Sequence, residues 1–168
     1  MIDLNEYIAQ LARTNRLAVD HAFAPCQCSG IGYLEGMLEG MRRERAFVCT
    51  TDVTDGEVYQ RGGGWFRRRL LTVFILHRYR SDSPGDYEEK MNLCRELFRQ
   101  FLTRHLLDEA DLQRQSAFLN VGNVRFRELG GEFLNGLTGL YYMLSMDEPH
   151  PLCFNPEEWT HGEATHNP

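Results

Sequence analysis

Residues 65–80 are rich in apolar side chains, with Leu71, Val73 and Ile75 alternating against Leu70, Phe74 and Leu76. A period of two with apolar residues on both faces predicts a central strand, or one whose outer face meets a partner. At Ser83-Pro84-Gly85-Asp86 the pattern changes. Ser83 suits a helix N-cap, Pro84 the first helical position, and the Asp86 carboxylate the positive end of a helix. Tyr87, Met91, Cys94, Phe98 and Phe101 follow as one stripe, widened by Leu97 and Leu102. An amphipathic helix is therefore predicted to about residue 107. Leu107-Asp108-Glu109 starts a short connection, and 110–118 adds a further helical turn or two. Strands are predicted at 123–129 and 137–146, linked by Gly130-Gly131.

The first half is patterned more weakly. Asp3 is a fitting N-cap for a helix whose apolar face carries Leu4, Ile8, Leu11, Ala12, Asn15 and Val19. Residues 21–30 read as a loop or short extended piece. Residues 31–45 contain the repeat Leu34-Glu35-Gly36-Met37, Leu38-Glu39-Gly40-Met41. A helix there aligns Gly32, Gly36 and Gly40 along one side, where another backbone can approach, at a cost of about 1 kcal/mol per glycine against alanine. Residues 46–53 and 56–60 read as strands with Asp55-Gly56 as the turn between them, and Gly62-Gly63-Gly64 as a flexible joint.

A chain of 168 residues suits one domain with its own core. The domain is expected over 1–148, followed over 149–168 by a flexible tail holding four of the six prolines. The formal charge of −6 argues against general nucleic-acid binding through a broad basic surface. Lys90 is the only lysine, so 17 of the 18 basic residues are arginine. Selection for interfaces and codon bias both explain that skew. No basic n-region or apolar h-region opens the chain, so no signal peptide is expected, and no apolar run approaches bilayer length. Five cysteines without an export signal suggest reduced thiols.

Candidate chemistry is sparse. Cys26-Gln27-Cys28 places two thiols on one side of an extended segment, but structural zinc sites favour two to four intervening residues. His150, His161 and His166 lie in the tail without metal-ligand spacing. His77 has a structural role in a strand, and His105 near a helix C-terminus would complement the dipole when charged. Pairing Ser29 or Ser116 with a histidine has no nucleophile-elbow motif behind it. Gly30-Ile31-Gly32 fails the dinucleotide fingerprint, and Gly62-Gly63-Gly64 lacks the Lys-Ser/Thr of a P-loop. Arg67-Arg68-Arg69 is split by alternation across two strand faces, which suits pairing with acidic neighbours or a partner subunit. No catalytic residue, metal ligand or cofactor is assigned. The candidate interface is Arg67, Arg68, Arg69, Gly62, Gly63 and Gly64.

The succession Leu70-Leu71-Thr72-Val73-Phe74-Ile75-Leu76, the helix from Ser83, Asn123-Val124-Arg125-Phe126-Arg127 and Gly139-Leu140-Tyr141-Tyr142-Met143-Leu144 resembles phage tail-terminator and head–tail joining proteins. The resemblance implies an α+β fold, a single antiparallel sheet with helices packed on one face. It also implies a non-enzymatic phage or prophage tail subunit that forms a homo-oligomeric ring, possibly a hexamer, against tail-tube or connector proteins. No membrane and no sequence-specific nucleic acid enter that expectation. Such a subunit assembles in the host cytoplasm and ends in the virion tail. The rival readings are a metal-binding or enzymatic protein organised around Cys26 and Cys28, and a bacterial interaction module outside any virion.

Overall fold

The computed structural model describes residues 2–29, 31–51, 55–130 and 136–160. Val53 at the end of one expected strand, Gly30, Gly131, His161 and His166 lie outside the described residues.

Asp3 caps α1 (Leu4–Thr14), its carboxylate accepting from the amides of Asn5 and Glu6. Asn15 ends that helix and caps the short α2 (Arg16–Asp20), accepting from the Ala18 amide. The expected continuous stripe therefore breaks at Asn15, and Val19 is exposed. Next come β1 (Phe23–Cys28), a single 3-10 turn, α3 (Leu34–Gly40) and β2 (Ala46–Thr51). The two strands pair in parallel, Cys26 opposite Cys49. Parallel neighbours need a crossover connection, and α3 lies within it. The single antiparallel sheet expected from sequence is thus corrected to a mixed sheet.

Strands β3 (Asp55–Arg61) and β4 (Gly64–Arg78) form a hairpin closed by Gly62 and Gly63, with φ of +57° and +81°. Positive φ at both turn positions favours glycine and matches the twist of the flanking strands. The three glycines are thus a hairpin turn and its first strand residue. Asp55 and Gly56 belong to β3, which pairs with β4 and not with β2. After β4 come α4 (Asp86–Arg114), β5 (Phe118–Leu129) and β6 (Leu137–Pro149). The sheet order is β1-β2-β4-β6-β5, with β3 on the first half of β4.

Alternation decides the layers. Val48, Leu71, Val73, Ile75, Leu140, Tyr142 and Leu144 share one core with α1 and α4. Phe47, Cys49, Phe74 and Leu76 meet Leu34 and Leu38 of α3 in the second core. Helices therefore cover both faces, which corrects the expectation of helices packed on one face only. The crossover carries α3 over the face that α1 and α4 leave open. Gly32, Gly36 and Gly40 have no other backbone packed on them among the described residues: a Cβ on any of them would meet nothing within 4 Å. Leu34 and Leu38 anchor this helix instead.

The start of α4 differs from the expected cap. Gly85, with φ +91°, occupies the N-cap position without a side-chain bond. Ser83 and Pro84 sit in the preceding turns, where Asp86 Oδ2 accepts from the Arg80 amide at 2.7 Å. A left-handed residue at 85 cannot continue a helix begun at Pro84. At the other end, Leu107-Asp108-Glu109 is no connection. Nothing from 86 to 114 is glycine or proline, and Leu112 extends the buried stripe. Phe118 belongs to β5. Asp147 and Glu148, which lie beyond the strand expected over 137–146, are buried in β6.

Candidate functional site

Two polar constellations and one groove stand out. The first joins the start of β4 to the end of β6. Arg68 clamps Asp147 through Nε and Nη2 at 2.7 and 3.0 Å, reaches Glu57 at 2.7 Å and lies over the Tyr59 ring. Tyr59 donates to the same Asp147 carboxylate at 2.8 Å. On the opposite face, Arg67 and Arg69 approach Glu148 at 3.4 and 3.1 Å, and Arg69 also donates to the Ile2 carbonyl. Alternation splits the arginine triplet as expected, and each half meets a β6 carboxylate. Burial raises the Asp147 pKa, but bonds from Arg68 and Tyr59 outweigh it and hold it below the usual carboxylate range. Among the candidate interface residues, the arginines are engaged within the chain, whereas Gly62 and Gly63 form an exposed hairpin tip.

The second constellation lies between α1, α4 and β6. Tyr7 Oη donates to Asp108 Oδ2 at 3.1 Å and lies 2.9 Å from His105 Nδ1, while His105 Nε2 lies 3.1 Å from Tyr142 Oη. One proton arrangement satisfies every group: His105 Nδ1–H donates to Tyr7, and Tyr142 donates to a bare Nε2. His105 is thus neutral. Burial pushes its pKa down to about 4, against a smaller opposing pull from Asp108. The dipole role expected of a charged His105 is corrected, since the ring is fully buried and the helix runs on to Arg114. His105 continues the spacing of Cys94, Phe98 and Phe101, which was the available sequence signal. Its link to Tyr7 had none.

A neutral buried histidine sets a pH dependence. With the folded pKa below the ordinary value of about 6.5, its contribution is fully present above that pH. It is lost as pH falls through 6.5 toward 4, on the order of 3 kcal/mol across the window. Chemical denaturation from pH 7.5 to 4.5 should show this loss, with a flatter profile in His105→Gln. Parallel profiles for the two proteins would refute the assignment.

Tyr7 and Asp108 also line a groove of about 730 Å³ between α1 and α4, together with Arg16, Phe101, Arg104 and Leu107. Asn15 and Gln100 bond across it at 2.8 Å. Arg104 is paired with Asp108. Arg16 makes no ion pair among the described residues.

Cys26 and Cys28 are joined by Cys49 on the α3 face, a meeting that parallel pairing creates. Hydrogen bonds with Cys26 and Cys28, together with burial, push the Cys49 thiol up. Cys94 lies in the other core, its thiol pushed up to about 12 by burial. Among the described residues no group of three or more His, Cys, Asp or Glu is arranged to hold a metal ion. His77 is buried edge-on to Phe23, with Nδ1 2.7 Å from the Arg78 carbonyl. The His150 amide donates to the Trp65 carbonyl. Ser116 is exposed in the turn after α4 with φ +60°. No helix among the described residues is long and apolar enough to cross a membrane. No protein-family model matches the chain, and no curated protein matches it either.

Proposed function

We propose that the chain is a non-enzymatic structural subunit of a phage or prophage tail, a component of a tail-terminator or head–tail joining ring. The observation that supports the reading is the order β4, α4, β5, β6 within one sheet, with β3 added to the first half of β4 off the main strand path. A two-sided sheet covered by helices provides a stiff body, and the hairpin adds an exposed surface suited to contact between subunits. Self-assembly and contacts with tail-tube or connector proteins then do the work, first in the host cytoplasm and finally in the virion tail.

Light scattering after size exclusion, over a range of concentrations, tests the reading, with electron microscopy of the largest species. Closed rings of uniform diameter are the expected result. A strict monomer at high concentration that also fails to bind tail-tube protein would overturn it.

A further inference from the structure

We infer that residues 150–160, after β6, are an exchange arm that docks into the α1–α4 groove of a second copy of this chain. The inference rests on the ring reading and specifies the contact between neighbours.

Residues 151–160 are exposed throughout. They nevertheless carry Leu152, Phe154 and Trp159, which are 53, 56 and 63% exposed. Such a concentration of large apolar side chains on one short segment marks an interaction surface. The segment is also partly organised before any partner arrives. Phe154 and Trp159 stack at 6.4 Å between ring centroids, and the Asn155 side chain accepts from the Glu157 amide to cap a 3-10 turn at Pro156–Glu158. Proline at 151 and 156 limits the conformations lost on docking.

The groove supplies the complement. Its walls offer the apolar surfaces of half-buried Tyr7 and of Leu107, the latter 68% exposed, over a floor closed by the buried Leu11 and Phe101. Arg16 lies at this groove without an ion-pair partner among the described residues, and the arm carries Glu157 and Glu158, also without one. Among the described residues, none of 150–160 lines the chain's own groove. Arm and groove are different surfaces, so one copy can give its arm to a second and receive that of a third, a head-to-tail contact. Contacts of that kind close into rings when the rotation between neighbours permits. Arm docking therefore explains how a subunit of this fold can both give and receive one contact.

The test uses the full chain. Cys153 is an exposed native thiol on the arm, and Leu107→Cys places a second in the groove. Under copper–phenanthroline, cross-links between copies are expected, mapped to Cys153 and position 107 by peptide mass. Phe154→Ala with Trp159→Ala should weaken association by more than about tenfold, the effect of removing aromatic anchors, while leaving the circular dichroism spectrum unchanged. Arg16→Glu should weaken it too, and adding Glu157→Arg with Glu158→Arg should restore it. Cross-links only within single chains would mean that the arm folds onto its own groove and would overturn the inference. Wild-type rings unaffected by the arm substitutions would overturn the arm while leaving the ring reading standing. A wild-type monomer without cross-links between copies would overturn the arm contact, and failure to bind tail-tube protein as well would count separately against the ring.

Discussion

Gly139→Ala is expected to destabilise the protein by about 3 to 5 kcal/mol, enough to leave much of it unfolded or insoluble on expression. Gly139 lies inside β6, between Leu76 of β4 and Leu129 of β5, with φ +142°. An alanine Cβ there would stand 2.1 Å from the Ile75 carbonyl oxygen and 3.0 Å from the Leu76 Cα. Both obstacles are backbone atoms of the central strand, so relief requires parting β4 from β6. Backbone strain and overpacking each cost about 1 to 3 kcal/mol, and here they act together. Gly122→Ala is the control, since a Cβ at that position meets nothing within 4 Å. Urea denaturation of the two variants beside the parent decides it. A Gly139→Ala protein as stable as the Gly122→Ala one would show that β4 and β6 do not approach as described.

Phe98→Ala is expected to cost about 3 to 5 kcal/mol, the usual range for removing a buried aromatic ring. Phe98 is 8% exposed and packs on Tyr142 at 5.0 Å and Phe126 at 5.2 Å between ring centroids. Its loss would leave a cavity over the centre of β6 and free Phe126 on β5, which is already 55% exposed. Assembly should weaken only through stability. Chemical denaturation and light scattering on the same samples separate the two effects. A variant with parental stability that fails to associate would mean that this side of α4 faces a partner.

Local pattern by itself determined much of the frame. The alternation through Leu71, Val73 and Ile75 assigned β4 its two buried faces, because successive strand side chains must point to opposite sides. The spacing of Met91, Cys94, Phe98 and Phe101 gave α4 its buried stripe, and Asp3 marked the start of α1. The split of Arg67, Arg68 and Arg69 across the sheet followed from the same alternation. Tertiary structure decided what those faces meet. Phe23–Cys28 pairs in parallel with Ala46–Thr51 across the α3 crossover, a partnership between separated segments that no local period encodes. Ser83 lost its capping role to a left-handed Gly85, whose conformation depends on how the turn closes on Arg80. Tyr7 and His105, 98 residues apart, meet only because α1 and α4 pack side by side on one sheet face. Arg68 and Asp147, 79 residues apart, meet because β4 and β6 are neighbours in register. Helix and strand periods arise from adjacent residues and can be read directly. These contacts depend on chain closure over long separations, so they exist only once the sheet order is set.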